Sequence, residues 1–243
     1  MNNTIAFLPG TGQDEQIAKL LKDWFPQSEI INVPILSPAD KTKTLAEMAD
    51  SATDWLIKNN WIGGVLIGYS IGGQIALSLA KKNKIKIHKL IMLSTPFDGN
   101  FFKPIHEKVL KLIFSKKGQP VFNWLMKHPK LIYNPLTVRL MYPKLIFAKK
   151  TNKLYDMDLN AETMPQWFFS LRQMQQQDFS EFLKTNNLPI NVIYGDNDNS
   201  FLPGYYERWS QFPNVRLHKL PGDHNPVVDH PEMAKKLFYE LMP

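Results

Sequence analysis

Short apolar runs that alternate with amphipathic helical patterns constrain this chain more than any other feature. Six runs, residues 4–8, 29–33, 64–69, 88–93, 190–194 and 215–220, read as strands. Several are nearly continuous apolar, as strands buried on both faces of a parallel sheet tend to be. Helical periodicity over 13–24, 45–57 and 71–82 separates the first four, and a last helix over 231–241 opens on Pro231. The expectation is an α/β fold: a six-stranded, mostly parallel sheet with helices on both faces.

The rhythm breaks between the fourth and fifth strands. Residues 98–186 are rich in Phe, Trp, Met and Lys, show helix-like patches and carry no clear strand. A gap of about ninety residues is too long for a simple loop. The predicted organisation is a core of residues 1–97 and 187–243, with an inserted helical cap, or lid, of residues 98–186.

Charge sets the cap apart. The chain of 243 residues carries a net charge of +7. Residues 98–160 alone hold twelve Lys/Arg against four acids, so the whole positive excess sits in the middle segment. A basic face of this kind suits an acidic partner, an anionic membrane surface or a free anionic substrate. No nucleic-acid motif accompanies it, and no nucleic-acid partner is expected. The chain has no cysteine, which excludes disulfides, thiolate metal sites and a cysteine nucleophile. MNNTIAFLPG lacks the basic region and long apolar stretch of a signal peptide, and no transmembrane segment is expected. A cytoplasmic location is expected.

Gly68-Tyr69-Ser70-Ile71-Gly72 stands where the third apolar run gives way to a helical pattern. G-x-S-x-G at such a junction places the serine on a sharp strand-to-helix turn. The hydroxyl then stands at a helix N-terminus, where free N–H groups favour developing negative charge. A serine hydroxyl is a weak nucleophile and needs a base, which in turn needs an orienting carboxylate. Of the six histidines, His88 and His218 fall in or at the edge of strands, and His106 and His128 in the cap. His224 lies in LPGDHNP, a turn-rich loop directly after the last strand, where a base belongs. His230 reads as the residue before a helix start. For the carboxylate, the loop after the fifth strand offers Asp198 first, because it lies further past the strand end, with Asp196 as the alternative. An oxyanion hole needs two backbone N–H groups. Ile71 supplies one, and Thr11 in the glycine turn Gly10-Thr11-Gly12 is the candidate for the other. A phosphate-cradling reading of that turn is weak, since neither a Lys-Ser/Thr pair nor the G-x-G-x-x-G spacing is present. Asp223, His224, Asp229 and His230 could be drawn as a metal cluster, but Pro226 and Pro231 oppose a convergent geometry.

Taken together, GYSIG, the order Ser70…Asp198…His224, the glycine turn after the first strand and GDH…DHPE near the end resemble the α/β-hydrolase superfamily. The resemblance covers residues 1–97 and 187–243. It implies Ser70 as nucleophile, His224 as base, Asp198 as orienter, Ile71 and Thr11 as oxyanion donors, and no metal or cofactor. Here Pro9-Gly10 stands where the family usually has His-Gly, and the expected core is a minimal one of six strands. The implied function is a serine esterase or thioesterase working through an acyl-enzyme. The compact plan and basic cap are also similar to carrier-directed methyl esterases of biotin synthesis, which makes an acyl-carrier-bound substrate a candidate beside a free small molecule. GYSIGGQIALSLA resembles the elbow of carbon–carbon hydrolases or lyases of the menaquinone-pathway type, the alternative reading. A non-catalytic binding protein on the same fold is a further one. Tyr69, Trp124 and Trp167 are the candidate substrate contacts, although aromatic stripes more often form a cap's own core.

Overall fold

The computed structural model describes residues 4–10, 16–35, 43–101, 108, 111–128 and 163–242, without the side chains of 125–127 and 163–168. The apolar runs become β1 (Thr4–Leu8), β2 (Glu29–Asn32), β3 (Gly64–Tyr69), β4 (Ile87–Leu93), β5 (Ile190–Gly195) and β6 (Val215–Leu220). They form one six-stranded sheet in the order β2-β1-β3-β4-β5-β6, with every neighbouring pair parallel. Strand edges differ from expectation by one residue at most. Val33, for example, falls just outside β2 although its N–H still reaches Phe7 O at 2.9 Å.

The helices are α1 (Gln16–Trp24), α2 (Leu45–Lys58), α3 (Ile71–Lys82), α4 (Gly118–Lys127), α5 (Thr163–Gln175), α6 (Ser180–Thr185), α7 (Pro226–Asp229) and α8 (Pro231–Leu241), with a 3₁₀ turn at Tyr206–Gln211. Successive strand side chains point to opposite faces, and this divides the core in two. Ile5, Phe7, Ile67, Ile91 and Ile193 pack with Ile17 and Leu21 of α1 and Phe238 of α8. Ala6, Leu8, Leu66, Leu90 and Val192 pack with α2 and α3 on the other face. Local chemistry sets the helix ends. Thr44 and Glu47 form a reciprocal capping box at the start of α2. Asn83 ends α3 in the left-handed conformation.

The described helices α4, α5 and α6 lie between β4 and β5. The chain leaves and returns at one point: Asp98 bridges Asp178, and the Phe179 N–H bonds Phe97 O at 2.9 Å. Phe101, Met174, Phe179 and Leu183 are buried in the same cluster as Leu90 and Val192. Side chains on both sides of residues 97 and 187 thus pack into one cluster with the sheet. Among the described residues, no helix is long and apolar enough to cross a membrane.

Strand order reverses between β1 and β3, whose successors lie on opposite sides. Open α/β sheets bind ligands in the crevice outside the carboxyl ends of the strands at such a reversal. Pro9-Gly10 and Ser70 leave their strands at that place.

Candidate active site

Ser70 joins β3 to α3 with φ 53 and ψ −118, an uncommon conformation for a residue with a side chain. The sheet holds it there. Its N–H bonds Leu93 O on β4 at 2.8 Å, and its carbonyl accepts the Gly73 N–H at 3.0 Å. The flanking glycines are required by space. A Cβ on Gly68 would lie 2.5 Å from Gly73 Cα, and one on Gly72 would run into the carbonyl oxygens of Leu8 and Pro9. The helix can therefore begin hard against the end of β1 only with glycine at 72. Ile71 is the first residue of α3. The N–H of a first helical residue has no intrahelical acceptor, so that of Ile71 can turn to an oxyanion.

The loops after β5 and β6 bring two more side chains to this serine. His224 Nε2 is 3.3 Å from Ser70 Oγ, and His224 Nδ1 is 2.9 Å from Asp198 Oδ2. The carboxylate side chain is 1% exposed and the imidazole 25%. Burial would push the Asp198 carboxyl up. The charge of His224 and hydrogen bonds from His224, Tyr206 and the Ser200 N–H outweigh burial, and its pKa falls below the ordinary carboxylate value. For His224, burial pulls the pKa down, but Asp198 outweighs it through charge and hydrogen bond, with help from Asp223, and the pKa rises above 6.5. A buried, ionised carboxylate thus orients an imidazole whose other nitrogen faces a strained serine. Such a group can take a proton from the serine and return it to a leaving group.

A family model described as alpha/beta hydrolase fold matches residues 8–231. The chain belongs to this family. Among solved structures, a thermophilic esterase from Thermogutta terrifontis is similar over 98% of this chain and 89% of its own, at 16% identity and a TM-score of 0.71. A lipase-esterase related protein from Clostridium acetobutylicum is similar over 98% and 94%, at 18% identity and a TM-score of 0.66. MenH from S. aureus is similar over 99% and 93%, at 17% identity and a TM-score of 0.65. At these identities the likeness is one of fold. No curated protein matches the sequence.

Within this α/β-hydrolase frame the other sequence candidates sort by what they touch. Asp198 bonds His224, whereas Asp196 Oδ1 accepts the Gly222 N–H at 3.1 Å and the Asn197 amide at 2.8 Å, tying the two loops together. His218 bonds Asn191 across β5 and β6 at 2.9 Å, and His230 stands at the N-cap of α8. Tyr69 is the candidate substrate contact at the end of β3. It is 3% exposed, its ring 5.5 Å from the His224 ring, and a Cβ on Gly10 would lie 2.5 Å from it. It packs against the imidazole, because β3 turns its last side chain into the α1–α8 layer. Trp124 is 52% exposed on α4, its ring 4.6 Å from the His128 ring and tilted to it. Thr11 and the Trp167 side chain lie outside the described residues. Asp223, His224, Asp229 and His230 gather no metal-holding group; among the described residues no cluster of three or more such side chains does.

Two contributors escaped the sequence reading. Thr95, just past β4, points its hydroxyl at the carbonyls of Leu93 (3.0 Å) and Ser70 (3.3 Å), bracing the serine turn from below. Its signal was the polar Ser94-Thr95 pair directly after an apolar strand. Tyr206 donates its phenol hydrogen to Asp198 Oδ2 at 2.5 Å. It sits eight residues beyond Asp198, in a 3₁₀ turn that no periodicity announces.

Proposed function

We propose that this α/β-hydrolase-fold protein is a serine hydrolase that cleaves a carboxylic ester or thioester. The observation that carries the reading is the continuous hydrogen-bonded line Ser70 Oγ–His224–Asp198, set on a strained turn. His224 Nε2 removes the Ser70 hydroxyl proton as Oγ attacks the acyl carbon. The carbonyl oxygen takes the negative charge beside the Ile71 N–H, with Thr11 proposed as the second donor. Each such donor is worth about 3–4 kcal/mol in a developed site. Collapse expels the alcohol or thiol, which receives the proton from His224, and leaves an acyl ester on Ser70. Water, deprotonated by the same imidazole, hydrolyses that ester to the free acid and restores the serine.

The segment 98–186 is assigned as the substrate-selecting cap. Its charge supports an anionic substrate carrier: Lys108, Lys111, Lys116 and Lys117 are exposed, and residues 108–128 contain no acid. An acidic acyl-carrier protein is the partner this surface suits.

A p-nitrophenyl ester and acyl-thioester panel tests the reading, with fluorophosphonate labelling beside it. The wild type is expected to show an acyl-enzyme burst and to take the label. Ser70→Ala is expected to lose both, with activity down about 10⁶-fold. A wild type that neither turns over any ester nor takes the label would overturn the proposal. Turnover of dione-type substrates alone would assign carbon–carbon chemistry instead.

A further inference from the structure

Asp198 Oδ2 receives two hydrogens at once, from His224 Nδ1 at 2.9 Å and from the Tyr206 phenol at 2.5 Å. The other oxygen, Oδ1, accepts the Ser200 N–H at 2.8 Å. Tyr206 cannot easily swing away. It is 5% exposed, stacks on Tyr194 at 4.4 Å and meets Phe201 at 5.5 Å. Phe201 in turn presents its edge to the His224 ring at 5.3 Å. A donor on a carboxylate oxygen stabilises the charge there and makes that oxygen a weaker acceptor for any second donor. A cation in the same place would compete with the imidazole far more strongly. A neutral phenol satisfies the buried oxygen and still leaves it able to hold His224.

We propose that Tyr206 is a positioning residue of the Ser70–His224–Asp198 site, sharing Oδ2 with His224 so that it fixes the carboxylate's orientation and sets its pull on the imidazole proton. The inference rests on the serine-hydrolase reading of the site. Burial, then the Asp198 charge, hold the phenol pKa well above its ordinary value, against a smaller opposite pull from Ser94, so Tyr206 stays a donor. The charged groups acting on His224 are Asp198 and Asp223, and the Asp198 carboxylate bonds Tyr206. Tyr69 packs against the imidazole.

The test follows the His224 imidazole by NMR titration, assigned by its loss in His224→Gln, alongside the pH dependence of fluorophosphonate labelling. Tyr206→Phe leaves the carboxylate charge less shared. The His224 pKa is expected to rise by roughly half a unit to one unit, and labelling at pH 6.5 to slow about 3–10-fold. Placing 3-fluorotyrosine at 206, a more acidic phenol and a stronger donor, is expected to move both in the opposite direction. His224 titrations that superimpose on the wild type in both variants would overturn the proposal, whatever happens to Tm. If Tyr206→Phe does not fold, 3-fluorotyrosine decides alone, since it changes acidity with one fluorine for one hydrogen. A wild type that resists the label while the two pKa shifts still appear defeats the hydrolase reading and leaves the coupling of Tyr206 to His224 standing.

Discussion

Asp98 and Asp198 both bury a carboxylate, with side chains 4% and 1% exposed. Each takes the phenol hydrogen of one of two consecutive tyrosines: Tyr205 bonds Asp98 Oδ1 at 2.9 Å, and Tyr206 bonds Asp198 Oδ2 at 2.5 Å. They differ in the cationic partner. Asp98 meets Arg208 in a two-pronged pair at 3.2 and 2.5 Å, and Asn100 adds two more bonds. The guanidinium also lies 5.0 Å over the Phe97 ring and 5.1 Å over Tyr205. Asp198 meets an imidazole that can give its proton up. An arginine keeps its charge across the working pH range of proteins, so the Asp98 cluster can only hold structure. It does so where the chain enters and leaves the segment between β4 and β5. In the proposed mechanism a buried acid of the same kind becomes chemical because its partner titrates and faces a serine.

The largest test of that contrast compares Asp198→Asn with Asp98→Asn. Asp198→Asn keeps the shape but favours the wrong imidazole tautomer. Ester turnover is expected to fall about 10⁴-fold with little change in Tm. Asp98→Asn is expected to lower Tm and leave kcat of the folded fraction within a few-fold. Equal losses of kcat in the two variants would erase the distinction. Next in size is Arg208→Ala, which leaves Asp98 with only neutral donors. The pair is partly exposed, the Arg208 side chain at 39%, so we discount the full cost of orphaning a buried charge to about 2–3 kcal/mol. Thermal melts should then show Tm lower by roughly 5–10 °C.

The contrast also explains what could be read in advance. The Ser70 turn and the His224 loop are local: glycines, prolines and a strand end within a few residues dictate them, and such chemistry is visible in a sequence. Membership of β1 to β6 was legible for the same reason, since apolar runs bury wherever they go. Asp198 against Asp196 was not settled by spacing. Two positions in a tight loop point to different places, and only the Gly222 N–H and the His224 ring decide which acid goes where. The Asp98–Tyr205–Arg208 cluster was invisible. Tyr205 and Arg208 lie 107 and 110 residues beyond Asp98 in the chain, and no motif links the three. Tyr206 was hidden for a similar reason, since a tyrosine in a turn reads as packing. The helices α4 and α5 were foreseen only as patches, because Phe, Trp and Met without a clean period do not say which face turns inward.

A smaller effect separates the two acids by pH. His224 has its pKa raised above 6.5, so the imidazole becomes a base only as pH climbs through that raised value. The acid limb of kcat/KM is expected to have its midpoint above 6.5, and in Asp198→Asn the residual activity should show the limb displaced to lower pH. Stability runs the other way. The charged pair contributes fully below about pH 6.5 and its contribution fades as pH rises through the folded value. Urea melts across that window should show a loss in the wild type that Asp198→Asn lacks, and Arg208→Ala should keep the wild-type slope. A wild-type acid limb at or below 6.5 would mean that Asp198 does not dominate the imidazole.

The smallest effect is the sharpest control on the tandem tyrosines. Tyr205 OH also accepts the N–H groups of Phe97 at 2.9 Å and Asp98 at 3.1 Å, so it is a hub for the backbone where the chain leaves the sheet. Tyr205→Phe removes the hydroxyl and strands two buried N–H groups. The loss should be about 1–3 kcal/mol of stability, read as a lower urea midpoint at unchanged m. The acid limb of kcat/KM should not move, because nothing Tyr205 bonds touches His224. Tyr206→Phe is chemically the same substitution one residue along, and it should shift the limb. If the two variants move the limb equally, the tyrosines act through packing of the turn they share, and the division between a structural and a chemical aspartate fails at its finest point.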